Sequence, residues 1–120
     1  MAELYQLNYH GVDLPNLTGH GYIAVGGGKI LGGSPIAGGK FEGTYSIVQN
    51  MIVAHGFVTV TSESLLVTGE TLLPNQKAPF SFGIPVNPSA NGPLILSNPF
   101  RVQLGAEFVA VQMTYLGSVP

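Results

Sequence analysis

The stretch from Gly19 to Val48, GHGYIAVGGGKILGGSPIAGGKFEGTYSIV, decides how the chain is read. It holds three short apolar runs separated by glycine clusters. Tyr22-Ile23-Ala24-Val25 suits a β-strand, and Gly26-Gly27-Gly28 supplies the positive φ that a tight hairpin turn needs. Lys29-Ile30-Leu31 reads as a short returning strand, ended by a second turn-forming pair, Gly32-Gly33, with Ser34-Pro35 behind it. After Gly38-Gly39 the side chains alternate cleanly. Phe41, Gly43, Tyr45 and Ile47 fall on one face; Lys40, Glu42, Thr44 and Ser46 fall on the other. Three consecutive antiparallel strands joined by glycine turns make a meander.

The flanking sequence repeats this pattern. Residues 4–10, LYQLNYH, alternate Tyr5, Leu7 and Tyr9 against Gln6, Asn8 and His10, which predicts a first strand. Gly11 to His20 is a loop built on Asp13, Pro15 and Asn16. Gln49-Asn50 is a two-residue turn candidate without the favoured glycine. Met51 to Thr61, MIVAHGFVTVT, is the longest strand candidate, and neither of its faces is convincingly polar. Such a strand is expected to be covered on both sides, by a barrel interior and by a partner or neighbouring element. Gly56 in its middle marks a bend where a sheet curls. Leu65-Leu66-Val67-Thr68 leans to strand, and residues 69–79 are irregular. Residues 80–86, FSFGIPV, alternate again, with prolines that argue for an edge position. Residues 87–93 are a loop. Leu94-Ile95-Leu96 and Phe100 to Leu104 read as one interrupted strand or two short ones, and Phe108 to Leu116 is the last strand. Helical periodicity is nowhere sustained for ten residues. The expectation is an all-β chain: a single antiparallel barrel of about eight strands, with at most a short helix, forming one domain over residues 1–120.

Composition narrows the function classes. The 120 residues are enough for a core without staples, and the chain has no cysteine. Disulfides, thiolate nucleophiles and cysteine zinc sites are thereby excluded. Lys29, Lys40, Lys77 and Arg101 are the four basic residues, against six acidic ones. They are too scattered to track a phosphate backbone, so direct nucleic-acid binding is not expected. Charged residues make up 8% of the chain, against about 25% in an ordinary domain. So sparse a charge favours self-association, and a homodimer is expected. The amino terminus lacks a signal-peptide pattern and no run approaches the roughly 18 apolar residues of a membrane helix, which points to the cytoplasm. Asn16-Leu17-Thr18 matches a glycosylation acceptor and is read as a chance match.

Gly19, Gly21, Gly28, Ile30, Gly32 and Gly33, followed by Gly43 and Tyr45, together resemble the GrlR-like family, small bacterial regulators related to the repressor of the enterocyte-effacement locus. The resemblance covers residues 3–60. It implies a lipocalin-like (calycin-type) eight-stranded barrel, a homodimer, and an apolar cavity able to hold a lipid-like molecule. The family's founding member regulates transcription by sequestering an activator protein through an exposed run of alternating Glu and Asp. The matching position here, near Gln49-Asn50, carries no acidic residue, so that role is not carried over.

GGGKILGG lacks the GxxxxGK[ST] pattern and a following helix, so Gly26, Gly27, Gly28, Gly32 and Gly33 are read as turn-formers and not as a phosphate cradle. His10, His20 and His55 have no ligand spacing, and no metal or cofactor is expected. His55 shares a face with Val53 and Phe57 and is read as a buried or interface histidine. Glu42 and Glu107 are the two acids in patterned strands, but Glu42 lies on the polar face. Ser62, Ser64 and Ser81 lack the strained elbow that activates a hydroxyl. The chain therefore reads as non-enzymatic. The inward aromatics either fill a packed barrel interior or line a cavity; in the second case Tyr5, Tyr22, Phe41, Tyr45 and Tyr115 are the candidate lining of a ligand site, with Gly43 leaving space between Phe41 and Tyr45. Val53, His55 and Phe57 are the candidate interface. Two functions remain open: a barrel that binds an apolar small molecule, and an interaction module acting on a partner protein through residues 69–79 or 80–86.

Overall fold

The computed structural model describes residues 2–34, 39–89 and 91–120. Ten strands follow in order: β1 (Ala2–Gly11), β2 (Thr18–Gly26), β3 (Lys29–Gly33), β4 (Lys40–Val48), β5 (Met51–Thr59), β6 (Ser64–Leu65), β7 (Thr71–Leu72), β8 (Ala78–Pro85), β9 (Phe100–Leu104) and β10 (Glu107–Val119). Eight close into one antiparallel barrel in the order β1-β10-β9-β8-β5-β4-β3-β2, while β6 and β7 form a separate hairpin. The all-β barrel expected from the sequence is the observed fold, and the described residues contain no helix. No helix is therefore long and apolar enough to cross a membrane.

Local chemistry sets the turns. Gly27 and Gly28 both have positive φ, 59° and 79°, between the paired residues Gly26 and Lys29. This is the geometry of a type I′ hairpin. Gln49 and Asn50 adopt the same geometry without glycine, at 52° and 63°, between Val48 and Met51. Gly32 and Gly33 are corrected from turn to strand. The β2 and β4 ladders continue through both, with Gly33 opposite Tyr22 and Lys40. Past them the Ser34 amide donates to the Gly39 carbonyl. Residues 35–38 of that expected turn and Ala90 of the 87–93 loop lie outside the described residues.

Three further expectations change. Residues 94–96 are not a strand; they fold across one end of the barrel, and Ile95 is almost fully buried. The expected strand at 65–68 shrinks to Ser64–Leu65. β8 is not a free edge, since it pairs with β5 along its length. Its other side meets β9 only at Phe80 and Ser81, so the prolines sit beside the thinnest seam of the barrel.

Alternate residues of each strand point inward and fuse into one core, including Tyr5, Leu7, Ile23, Val25, Ile52, Phe80, Val109 and Met113. Gly43 and Gly56 face each other across β4 and β5. A Cβ built on Gly43 would lie 2.9 Å from Phe80 Cζ, and one on Gly56 only 2.7 Å from it. The space that Gly43 leaves is thus filled by the Phe80 ring from β8, and does not become a void. Gly56→Ala should lower stability by about 1–3 kcal/mol, because a methyl there also presses on the Gly43 backbone. Urea unfolding with an unchanged m-value is the check.

Candidate functional site

The barrel's two ends differ. At one, residues 86–89 and 91–99 lie beneath the strands. The Tyr5 hydroxyl donates to Glu3 Oε1 at 2.7 Å and accepts from the Ile95 amide at 3.1 Å. Glu3 Oε1 also accepts from the Leu94 amide at 2.9 Å. Asn87 closes the segment on itself by donating from Nδ2 to the Pro93 carbonyl at 2.7 Å. Tyr5 has no exposed surface and tilts against Tyr115, ring centroids 5.6 Å apart. A bulge opposite Leu4 and Tyr5 shifts the β10 register by one residue at this point. Burial pushes the Tyr5 phenol well above its ordinary pKa; the Glu3 bond adds to the shift and the Ile95 amide opposes it.

Toward the other end the interior is open. A cavity of about 190 Å³ is lined from all eight barrel strands, by Leu7, Ile23, Ile30, Phe41, Val58, Phe80, Val102, Val111 and Met113 among others. Leu66 and Val67, which follow β6, add to its wall. Its polar side chains come from one rim: Tyr9 near the end of β1, Thr18 at the start of β2, Ser34 just past β3, and Ser64 at the start of β6. Tyr9 lies opposite Gly19 on β2. Its ring takes the space of the missing side chain, with Cζ and Oη 2.6 and 2.8 Å from where a Cβ would be. Burial pushes the Tyr9 phenol upward, and a hydrogen bond with Ser34 partly offsets that. None of the described lining residues is charged.

The candidate lining residues are distributed unevenly. Phe41 lines the cavity. Tyr45 packs against the core without reaching it, and Tyr5 and Tyr115 belong to the closed end. Tyr22 is corrected to the outer wall, 51% exposed, because Ile23 and Val25 take the inward positions of β2. The residue missing from that set is Tyr9. Its inward parity with Tyr5 and Leu7 was legible, but its place at the open end was not. Val53, His55 and Phe57 all face outward from β5 and are exposed, so His55 is not a buried histidine.

The other titratable groups stay outside. Lys40 Nζ lies 2.8 Å from Glu42 Oε1, and this hydrogen bond holds the Glu42 carboxyl below its usual range. Lys77 sits 5.4 Å from the Phe57 ring centroid. His10 Nδ1 donates to the Gly11 carbonyl at 3.1 Å. Among the described residues no three His, Asp or Glu side chains gather as a metal site would require. The outer wall carries Gln6, Asn8, Thr44, Ser46, Gln103 and Gln112 together with exposed apolar residues such as Tyr22, Leu31, Val53 and Phe57.

A closed eight-stranded antiparallel barrel with an apolar interior is consistent with the calycin and lipocalin type. No protein-family model, curated protein or solved structure matches the chain, so the GrlR-like resemblance stands at the level of this architecture alone.

Alkaline titration tests the closed end. A phenol with a raised folded pKa keeps its proton after the unfolded chain has lost it, so its stabilising contribution is complete below about pH 10 and is lost as pH rises beyond. Stability should fall above that pH, and Tyr5→Phe should make the fall shallower. The same variant should cost about 1–3 kcal/mol at neutral pH, because the Ile95 amide and Glu3 lose their partner.

Proposed function

We propose that this protein is a non-enzymatic barrel that takes an apolar small molecule into its interior. The observation that carries the reading is the cavity of about 190 Å³, walled by aliphatic and aromatic side chains with four polar ones on a single rim. An engineered apolar cavity of about 150 Å³ stays dry and accepts a benzene-sized guest, so a space of this size and lining favours a ligand over water. Native mass spectrometry of the purified protein against its denatured mass tests for a retained guest. Toluene added in solution should shift the methyl resonances of Ile23, Val111 and Met113. Val111→Phe, which fills the cavity from β10, should weaken toluene by tenfold or more while far-ultraviolet circular dichroism stays that of a β-protein. Failure of toluene to bind the unmodified protein at millimolar concentration would defeat the reading.

A second reading, association through the barrel's outer face, draws on β5. Met51, Val53 and Phe57 stand exposed along it, the last two at 46% and 47%, beside exposed Val48 of β4. Isologous packing of this stripe on a second copy would cover it, and an interaction module acting on another protein would use the same face. Phe57→Glu should leave the barrel folded, because the side chain points out, and should move a dimer toward monomer in sedimentation equilibrium. A protein already monomeric at micromolar concentration would remove the homodimer.

A further inference from the structure

We infer that the interior site selects uncharged one-ring molecules bearing a hydroxyl, carbonyl or amide group, and rejects carboxylates of the same shape; the inference rests on the cavity reading above. Size sets the first limit. Pockets for drug-sized ligands run from about 300 to 1,000 Å³. A cavity of about 190 Å³ holds a single ring with a short substituent, whereas most of a long acyl chain would have to lie outside its mouth.

Charge sets the second limit. A carboxylate buried here would meet no Lys or Arg among the described lining residues. Lys40 is tied to Glu42, Lys77 lies over Phe57 outside the wall, Lys29 starts β3 beside the Gly27-Gly28 turn, and Arg101 is exposed on β9. The undescribed residues 35–38 are Pro, Ile, Ala and Gly, which bring no ionisable side chain. Taking an unpaired carboxylate out of water costs far more than taking out a hydroxyl or amide.

Position sets the third. The Tyr9 oxygen, held at the rim over Gly19 and bonded with Ser34, has both an O–H and acceptor lone pairs. A phenol is neutral at physiological pH, and burial pushes this one's titration further up, so it carries no charge to repel a polar group. A guest with its ring in the apolar chamber presents its polar substituent to Tyr9, where the bond recovers part of the lost hydration. The site thus couples an apolar chamber to one neutral polar anchor.

Four probes of nearly equal size separate the elements of this inference: toluene, benzyl alcohol, benzamide and benzoate, titrated calorimetrically or by methyl resonance shifts at neutral pH. Benzamide and benzoate share a shape and differ in charge. Benzamide and benzyl alcohol should bind at least tenfold more tightly than benzoate. Tyr9→Phe keeps the ring over Gly19 and should weaken benzyl alcohol about tenfold more than it weakens toluene. Benzoate binding as tightly as benzamide would overturn the charge selection while leaving the cavity intact, as toluene would show. An equal effect of Tyr9→Phe on toluene and benzyl alcohol would remove Tyr9 as the anchor. If none of the four binds, the cavity reading falls and this inference falls with it.

Discussion

The structure depends on β1 pairing on both of its sides. Its residues match β10 from Ala2↔Val119 to Gly11↔Val109, and β2 from Glu3↔Val25 to His10↔Thr18. Without that strand the sheet would have two open edges, each a row of unpaired amides and carbonyls ready to bond another chain. With it, the first and last strands of the sequence become neighbours and no edge runs the length of the barrel. Closure also creates an inside. A strand in an open sheet chooses between a wet face and a packed one, whereas here every inward side chain must share one enclosed volume with seven other strands.

That volume is filled by unequal means along the barrel axis. Near its middle, backbone meets backbone at Gly43 and Gly56, and the Phe80 ring reaches across them. At one end the segment after β8 supplies Ile95, and the amides of Leu94 and Ile95 are satisfied by Glu3 and Tyr5. Among the described residues no comparable plug fills the space under Tyr9, Thr18, Ser34 and Ser64. The hairpin of β6 and β7 brings Val67 and Leu72 into the core and walls this region without filling it. The cavity exists because the two long connections end their work differently.

The sparse charge of the chain has its explanation in the wall as much as in the interior. Neutral amides and hydroxyls such as Gln6, Asn8, Thr44 and Gln112 hydrate much of the outside. On β5 they give way to Met51, Val53 and Phe57, and Lys77 lies over the Phe57 ring. Period-2 reading found this strand two-sided and apolar. It could not say that the outer side would be left uncovered by the rest of the chain.

Strand existence, inward parity and hairpin turns were legible because each is a local property. Alternation at 41–47 places Phe41 and Tyr45 on the inner face whatever surrounds them, and Gly27-Gly28 turns the chain wherever it occurs. Long-range events decided everything that depends on position along the barrel axis. Gly32 and Gly33 look like a turn in isolation, but ladders from both neighbours hold them extended. Leu94-Ile95-Leu96 reads as a strand, yet it serves as a plug because Glu3 and Tyr5, some ninety residues earlier, accept the hydrogen bonds of the Leu94 and Ile95 amides. Tyr5 and Tyr9 are the clearest pair. They have the same residue type on the same face of one strand, four residues apart, and no local signal distinguishes them. One is sealed beneath Ile95 and the other stands at the rim of a cavity, because only the folded barrel determines which end its connections close.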